Sequence, residues 1–317
     1  MESLTGHLGN GNSLAADRQG QALPRFMNVR QVADYLHLNE KKIYSLVNEG
    51  NIPATKVTGK WMFPRDLVDR WLLESSYGGV LTDRLAVAGG DDPLLSRVIM
   101  NLARRIKAQA HISYSCTGTA LGLSLLARHR ADICAVHWGP ADESQNRHAA
   151  LINQYPQHHD WALVRICRRE QGLMVRAERQ EQDLGRLLQA PLRWVVRQQG
   201  SGSQRYLQET LSRQRLDAKV IEQRTTAVAL SEREAASQLA MNIGDIAPGA
   251  RSSAREYGLA FVSVGWEAFD LVLYRGVYFR RLFRELLDEL RSDATLKLAA
   301  SLGGYEFTDT GRVIWAE

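Results

Sequence analysis

Residues 28–73 constrain this chain most, because they carry the start, stop and packing signals of a complete small domain. Asn28 is followed three residues later by Gln31, the pairing of a capping box, and apolar side chains then recur at helical spacing up to Leu36. Asn39 can cap a second helix that ends at Gly50. The pattern therefore predicts two short helices joined by a tight turn.

The second helix is amphipathic. Ile43, Leu46 and Val47 fall on one face, which is expected to pack inward. The opposite face carries Lys41, Tyr44, Ser45 and Asn48. One face is thus free to contact another molecule.

A hairpin and a third helix follow. Thr55–Val57 and residues 61–63 are predicted as short strands turned at Thr58-Gly59-Lys60, and Pro64 opens the helix. Its apolar side chains are expected to face inward: Leu67, Val68, Trp71 and Leu72. Helix, turn, helix, hairpin wing and closing helix is the arrangement of a compact DNA-reading unit.

The segment resembles the excisionase-type winged helix-turn-helix family along nearly its whole length, MNVRQVADYLHLNEKKIYSLVNEGNIPATKVTGKWMFPRDLVDRWL. The resemblance implies that the second helix enters the major groove and that the wing touches the DNA backbone. We expect Lys41, Tyr44, Ser45 and Asn48 to face bases, and Lys42, Lys56 and Lys60 to meet phosphates. A helical subdomain that grips protein is the alternative interpretation.

Length and composition limit the classes of protein to which the chain can belong. The chain has 317 residues, 44% of them hydrophobic, which is enough for two or three packed lobes. No apolar run is long enough for a transmembrane helix, and residues 1–25 are expected to be a disordered tail without a secretory signal. Three widely spaced cysteines without a CxxC pair indicate a reducing cytoplasm and no bound metal or cofactor.

Beyond a linker expected at residues 75–81, strands alternate with helices, which indicates an α/β domain. Strands are predicted at 84–88, 111–114, 131–137, 192–197, 219–222 and 243–247, with extended runs within 161–175, 259–264 and 269–274. Helices are predicted at 93–108, 119–128, 202–213, 227–241, 279–290 and 294–302. The final residues, 303–317, are expected to pack on the first lobe.

Two such lobes, with the chain leaving one and later returning, resemble the type II periplasmic-binding-protein fold over residues 82–305. The resemblance rests on AGGDDPLL, RICRREQGLMV, RWVVRQQGSGSQRYL and GDIAPGARSSAREYGLAFVSVGWEAFDLVL. These segments look more closely like the PBP-like domains found behind helix-turn-helix heads or fused to molybdenum-cofactor enzymes. Together with the excisionase-type resemblance, it implies a winged helix-turn-helix domain at 26–74 and a PBP-like domain at 82–317. Lobe I would comprise about 82–165 and 265–317, and lobe II about 170–260.

Ligands of doubly wound sheets collect at the carboxyl ends of strands, where loops lead into helix N-termini. Glycines, hydroxyls and free backbone N–H groups in such loops can hold an anion. The expected ligand-binding residues are Gly90, Asp91, Thr117, Gly118, Thr119, His137, Gly200, Ser201, Gly202 and Ser203. Each loop taken alone is equally typical of ordinary turn and cap chemistry.

Other residues near these loops could have either a structural or a ligand-binding role. Asp92, followed by Pro93, is expected to be a structural N-cap, and Cys116 to be a small buried side chain. Arg169 and Arg197 could hold a larger anion or form interlobe ion pairs. Asp91 would repel an oxyanion and favour a cationic or hydroxylated ligand.

These observations predict a cytoplasmic, ligand-responsive transcription regulator that binds double-stranded DNA, does not interact with membranes and acts as a homodimer. Transport proteins of the family that the second domain resembles bind molybdate, tungstate and other small ligands. The resemblance therefore favours an oxyanion of that type as the effector, with a small organic acid or pterin-like molecule as the second choice. No HExxH, GxSxG or Walker motif is present, so an enzyme is not expected. The alternative is an accessory protein of molybdenum-cofactor metabolism whose head docks on protein.

Overall fold

The computed structural model describes residues 24–50, 52–75, 84–179 and 183–316. Nearly all of the expected tail, and the expected linker beyond Ser75, lie outside the described residues. The chain divides into two compact units, Met1–Leu81 and Thr82–Glu317.

The described residues of the first unit form three helices and a three-stranded sheet. Its elements are β1 Phe26–Met27, α1 Val29–Leu36, α2 Glu40–Asn48, β2 Thr55–Val57, β3 Lys60–Pro64 and α3 Arg65–Ser75. The strands are ordered β1-β3-β2, with β2 and β3 forming the antiparallel wing. This is the helix, turn, helix, wing and helix order that the sequence predicts.

Both predicted caps of this unit are present. The Asn28 side chain accepts a hydrogen bond from the Gln31 N–H, and the Gln31 side chain accepts one from the Asn28 N–H, both at 2.9 Å. The Asn39 side chain accepts from the Lys42 N–H at 2.7 Å. Such caps satisfy N–H groups that a helix leaves unpaired at its start, and each typically contributes about 1 kcal/mol.

The inward face of α3 is narrower than predicted. Val68 is fully buried and Trp71 half-buried, but Leu67 and Leu72 are 45% and 40% exposed. Successive residues of a helix are turned by about 100° around its axis. Viewed along the axis, Leu67 and Leu72 therefore lie roughly 70° to either side of the direction midway between Val68 and Trp71. The expectation that both leucines face inward was therefore wrong.

The second unit is an α/β domain. Its strands are β4 Arg84–Gly89, β5 His111–Ser115, β6 Ile133–Val136, β7 Trp161–Val175, β8 Trp194–Arg197, β9 Thr225–Ala229, β10 Ile246–Ala250, β11 Ala260–Tyr274, β12 Tyr305–Glu306 and β13 Val313–Ala316. Its helices are α4 Pro93–Ile106, α5 Thr119–Ala127, α6 Ser144–Ile152, α7 Leu184–Gln189, α8 Gly202–Arg213, α9 Ala218–Glu222, α10 Glu232–Ala240, α11 Arg251–Glu256, α12 Arg275–Tyr278, α13 Arg281–Leu290 and α14 Asp293–Leu302.

Two long strands join the two halves of this unit. β7 and β11 pair antiparallel along their length, from Trp161 opposite Tyr274 to Val175 opposite Ala260. Parallel strands β5-β4-β6 lie beyond β11, and β10-β8-β9 lie beyond β7. β12 and β13 pair with β7, so the C-terminal segment packs on the first lobe as predicted.

The chain between residues 218 and 240 departs from prediction. Residues 219–222, predicted as a strand, lie in α9, and the strand is Thr225–Ala229. Asp217 caps α9 by accepting from the Lys219 N–H, and Ser231 caps α10 by accepting from the Glu234 N–H. The helix predicted over 227–241 therefore begins only at Glu232. Ala227 and Ala229, which were predicted in this helix, belong instead to the edge strand β9, where pairing with β8 overrides their helix propensity.

Each lobe has its own apolar interior. In lobe I, α4 and α13 pack on the sheet around Leu85, Ile133, Phe269 and Phe283. In lobe II, Trp194, Leu207 and Ile246 lie in one cluster, and Met174 and Ala247 in another. Phe269 also contacts the interlobe cleft, where its ring stacks on His137 and lies 4.4 Å from the Arg169 guanidinium.

In the described part of the chain, no helix is long and apolar enough to cross a membrane. Nor do the described His, Cys, Asp and Glu side chains form a group of three or more that could hold a metal ion.

Candidate functional site

The face of α2 predicted to read DNA is accessible. Ile43 and Val47 are buried against the core of the first unit, as predicted, whereas Tyr44 is 45% exposed. The other exposed residues of the predicted interface are Lys41, Lys42, Asn48, Lys56 and Lys60. Ser45 is half-buried, and its hydroxyl donates to Glu49. The Lys56 ammonium lies 5.5 Å from the centre of the Trp61 ring, which directs this lysine along the wing.

The interlobe cleft of the second unit is centred on a fully buried arginine. Arg169, near the middle of β7, donates to three carboxylates: Asp92 at 3.1 Å, Glu232 at 2.9 Å and Glu267 at 2.8 Å. Asp92 and Glu267 belong to lobe I and Glu232 to lobe II. Of the two alternatives for Arg169, the structure shows the interlobe ion pair.

Glu232, the first residue of α10, accepts hydrogen bonds from several directions. Its Oε1 accepts from the Ser203 hydroxyl at 2.6 Å and from the Gln171 amide at 3.4 Å, in addition to Arg169. Its Oε2 accepts from the Ala250 N–H at 3.1 Å. Burial raises the pKa of this carboxyl, but Arg169, His137, Arg197 and the Ser203 hydroxyl outweigh burial and hold the pKa at about 2.

His137 fills the space between the lobes. Its Nδ1 lies 3.0 Å from Glu267 Oε2, and its Nε2 lies 3.9 Å from Glu232 Oε1. A Cβ on Gly90 would lie 2.7 Å from the imidazole, and one on Gly202 would lie 2.2 Å from the His137 carbonyl oxygen. Both predicted glycines are thus needed for the close approach of His137.

Asp91 faces lobe II. Its carboxylate accepts from the Arg233 N–H at 3.0 Å and from the Arg233 guanidinium at 3.3 Å, and the Cys116 thiol donates to it at 3.1 Å. Asp92 caps α4 as predicted, accepting from the Leu95 N–H at 2.8 Å. The acidic pair after β4 therefore joins the lobes as well as capping a helix.

The remaining predicted residues lie along a second contact between the lobes, here called the seam, which is formed by the residues just before and at the starts of α5 and α8. The Ala120 N–H donates to the Gly200 carbonyl at 3.3 Å, and a Cβ on Gly118 would lie 3.8 Å from the Ser201 Cβ. The N-termini of α5 and α8 therefore face each other across the cleft. Thr117 lies behind this seam, where its hydroxyl accepts from the Gly89 N–H at 3.1 Å.

Several buried polar atoms of the described residues at and just before the starts of α5 and α8 have no hydrogen-bond partner. Arg197 is only 4% exposed and donates through Nη2 to the Leu230 carbonyl at 3.2 Å. Among the described residues, its Nε and Nη1 have no hydrogen-bond partner, and neither do the Thr119 hydroxyl and the side-chain amide oxygen of Gln198. Burial lowers the pKa of Arg197, although Glu232 and Asp91 oppose that effect. A buried cation with unused donors is suited to an anionic group.

The structure thus brings nine of the ten predicted ligand residues to the cleft surfaces, with Thr117 behind them. Sequence reasoning did not single out Glu232, Glu267 or Gln171. The available signal was the polar run Arg168-Arg169-Glu170-Gln171 in a buried strand that also carries Arg165, since charge in a buried strand requires partners from elsewhere in the fold.

Together these features define a two-lobed binding domain that follows a winged helix-turn-helix domain. The family model of the PBP superfamily domain matches residues 100–291, more than half of the chain, and the chain belongs to that superfamily. A helix-turn-helix domain model matches residues 26–76. Neither is a catalytic family. The combination fits a ligand-responsive DNA-binding regulator.

Solved structures show the same fold. A putative phosphate ABC transporter substrate-binding protein from Clostridium perfringens, with bound phosphate, is 13% identical, with a TM-score of 0.51 over 71% of this chain and 99% of that one. An H2O2-bound mutant of OxyR from Corynebacterium glutamicum is 14% identical, with a TM-score of 0.50 over 90% of this chain and 94% of that one. The search of curated proteins returned no match.

Proposed function

We propose that this protein is a transcription regulator whose DNA affinity responds to a small anionic ligand in the interlobe cleft. The observation that carries the proposal is the buried Arg197, which has two nitrogens without a partner among the described residues and ends the strand that leads into α8. An anion there would meet a guanidinium, the Thr119 hydroxyl and helix N-termini, all of which favour negative charge. Molybdate or tungstate remains one expected ligand, and a small organic acid is the other.

A peroxide-sensing role like that suggested by the OxyR comparison is less well supported. Such sensors use a low-pKa, accessible thiolate. Here burial, together with the charge of Asp91, raises the pKa of Cys116 to about 12, and burial raises the pKa values of Cys134 and Cys167 above the usual thiol range. The cysteine thiols are therefore poor nucleophiles.

The first test of the proposal is a pair of measurements on the full chain. Thermal unfolding is followed with molybdate, tungstate, sulfate, phosphate and small organic acids, and binding to a labelled fragment from upstream of the protein's own gene is measured with and without each ligand. A ligand at a hundred times its dissociation constant adds about 2.7 kcal/mol of stability. The ligand that raises the unfolding midpoint is expected to change DNA affinity as well. A midpoint shift without any change in DNA binding would contradict the proposal.

Arg197→Ala then tests the assigned residue. We expect it to weaken ligand binding about tenfold or more, because a charge-assisted hydrogen bond is lost, while DNA binding without ligand persists. Arg197→Lys keeps the charge but loses the planar fork, so intermediate affinity is expected. Arg213→Ala, which removes a 53% exposed arginine from α8, is the matched control. Equal affinity in all variants would place the ligand elsewhere.

A further inference from the structure

Glu232 is bound within its own chain in the way that proteins bind a free anion. Its carboxylate receives a guanidinium, a serine hydroxyl, an amide and a backbone N–H, and its side chain is only 1% exposed. The Ser203 that supplies the hydroxyl is the second residue of α8, so the carboxylate also lies at a helix N-terminus. Each of these donors is suited to an oxyanion or a carboxylate ligand.

The positive charge next to this carboxylate is already paired with acidic side chains. Arg169 is shared with Asp92 and Glu267, and burial works against the Arg169 charge while the three carboxylates stabilise it. Removing Glu232 would leave the Ser203 hydroxyl and the Ala250 N–H without an acceptor inside the protein, and unsatisfied buried donors are costly. A second anion at these same donors would instead be repelled by Glu232 and would find the donors already used.

We propose that Arg169, Ser203, Gln171 and the Ala250 N–H form an anion-binding subsite that the chain fills with its own Glu232 carboxylate. The subsite borders Arg197, whose charge also lowers the pKa of Glu232, but its hydrogen-bond donors are a different set. Because Arg169 also bonds the lobe I carboxylates, the internal anion helps to hold the two lobes together without a free ligand. An external ligand therefore has to place its own negative charge at Arg197.

Glu232→Ala opens this subsite to a small carboxylate. The variant is expected to unfold at a lower temperature than wild type. Saturating acetate or formate is expected to raise its midpoint by about 3–6 °C more than it raises that of wild type. Acetamide, which has nearly the shape of acetate without its charge, is expected to have no such effect.

Glu209→Ala is the matched control. Glu209 also joins the lobes, accepting from Trp138 and from Arg147 at 2.7 Å each, but it lies outside the subsite. Its variant is expected to show no more acetate response than wild type. An acetate response of Glu232→Ala equal to that of wild type or Glu209→Ala would overturn the proposal.

Glu232→Gln keeps the test decisive if the alanine variant fails to fold. Glutamine preserves the volume but not the charge, and its amide nitrogen cannot accept the bonds that Glu232 Oε1 or Oε2 accepts. A lower midpoint than wild type, unchanged by acetate because the space stays filled, is expected. A wild-type midpoint would overturn the proposal. These measurements need no DNA, so their outcome is separate from that of the regulator proposal.

Discussion

Single residues set how closely the lobes approach. Gly202 begins α8, and a Cβ there would lie 2.2 Å from the His137 carbonyl oxygen and 2.5 Å from its ring. These are contacts with backbone as well as side chain, so no rotamer change relieves them. The glycine is therefore a condition of the closed cleft rather than of the helix that it starts.

Gly202→Ala is expected to force the lobes apart and to lower the free energy of unfolding by about 1–3 kcal/mol, as overpacking does. Thermal unfolding measures the loss, and small-angle scattering should show a larger radius of gyration. Gly185→Ala, in α7, would meet only the Asp183 carboxylate at 3.3 Å. Helix propensity makes this control neutral or slightly stabilising. A Gly202→Ala protein with wild-type stability and dimensions would show that the closed contact is dispensable.

The residues of the cleft also explain what sequence could not supply. Loop glycines and hydroxyls before helices could be located because strand ends and helix starts leave local signals. Arg169, Glu232 and Glu267 could not be paired, because they are far apart in sequence and charged residues are usually exposed. Only the fold brings them together in a buried network.

Elements were predictable where the local pattern and the tertiary environment agreed. The capped helices α1 and α2 and the wing illustrate this, since caps, turn residues and apolar spacing all indicate the same structure. Residues 219–241 illustrate the opposite. Val220 and Ile221 are typical of a strand but lie in α9, and Ala227 and Ala229 are typical of a helix but pair with β8 at the edge of the sheet.

The wing is the element through which we expect the first unit to contact the DNA backbone. Lys60, at the start of β3, is exposed. Lys60→Ala is expected to reduce the slope of log binding constant against log salt concentration by about one, because one fewer counterion is released. Titrations of a labelled DNA fragment at several salt concentrations measure this slope. Lys219→Ala, an equal charge change in the second unit, is the control, and identical slopes for both variants would exclude a phosphate contact at Lys60.

At the scale of the whole molecule, coupling requires that the ligand change the free energy of DNA binding, and by linkage DNA must then change ligand affinity to the same extent. A single helix-turn-helix domain buries little surface on DNA, since single modules typically bury about 600–1,000 Å². Two heads on repeated half-sites would supply both the missing affinity and a geometry that lobe closure could alter.

This reasoning predicts a homodimer on DNA. Light scattering of the full chain is expected to give twice the 35.6 kDa chain mass, at least when DNA is present. Half-sites are expected to be about 10 base pairs, or a multiple of that, apart from centre to centre. Inserting about 5 base pairs between them would turn one half-site to the opposite side of the duplex and should sharply weaken binding, whereas an insertion of about 10 should restore much of it. A monomer that binds all three fragments equally would instead require the ligand to act within a single head.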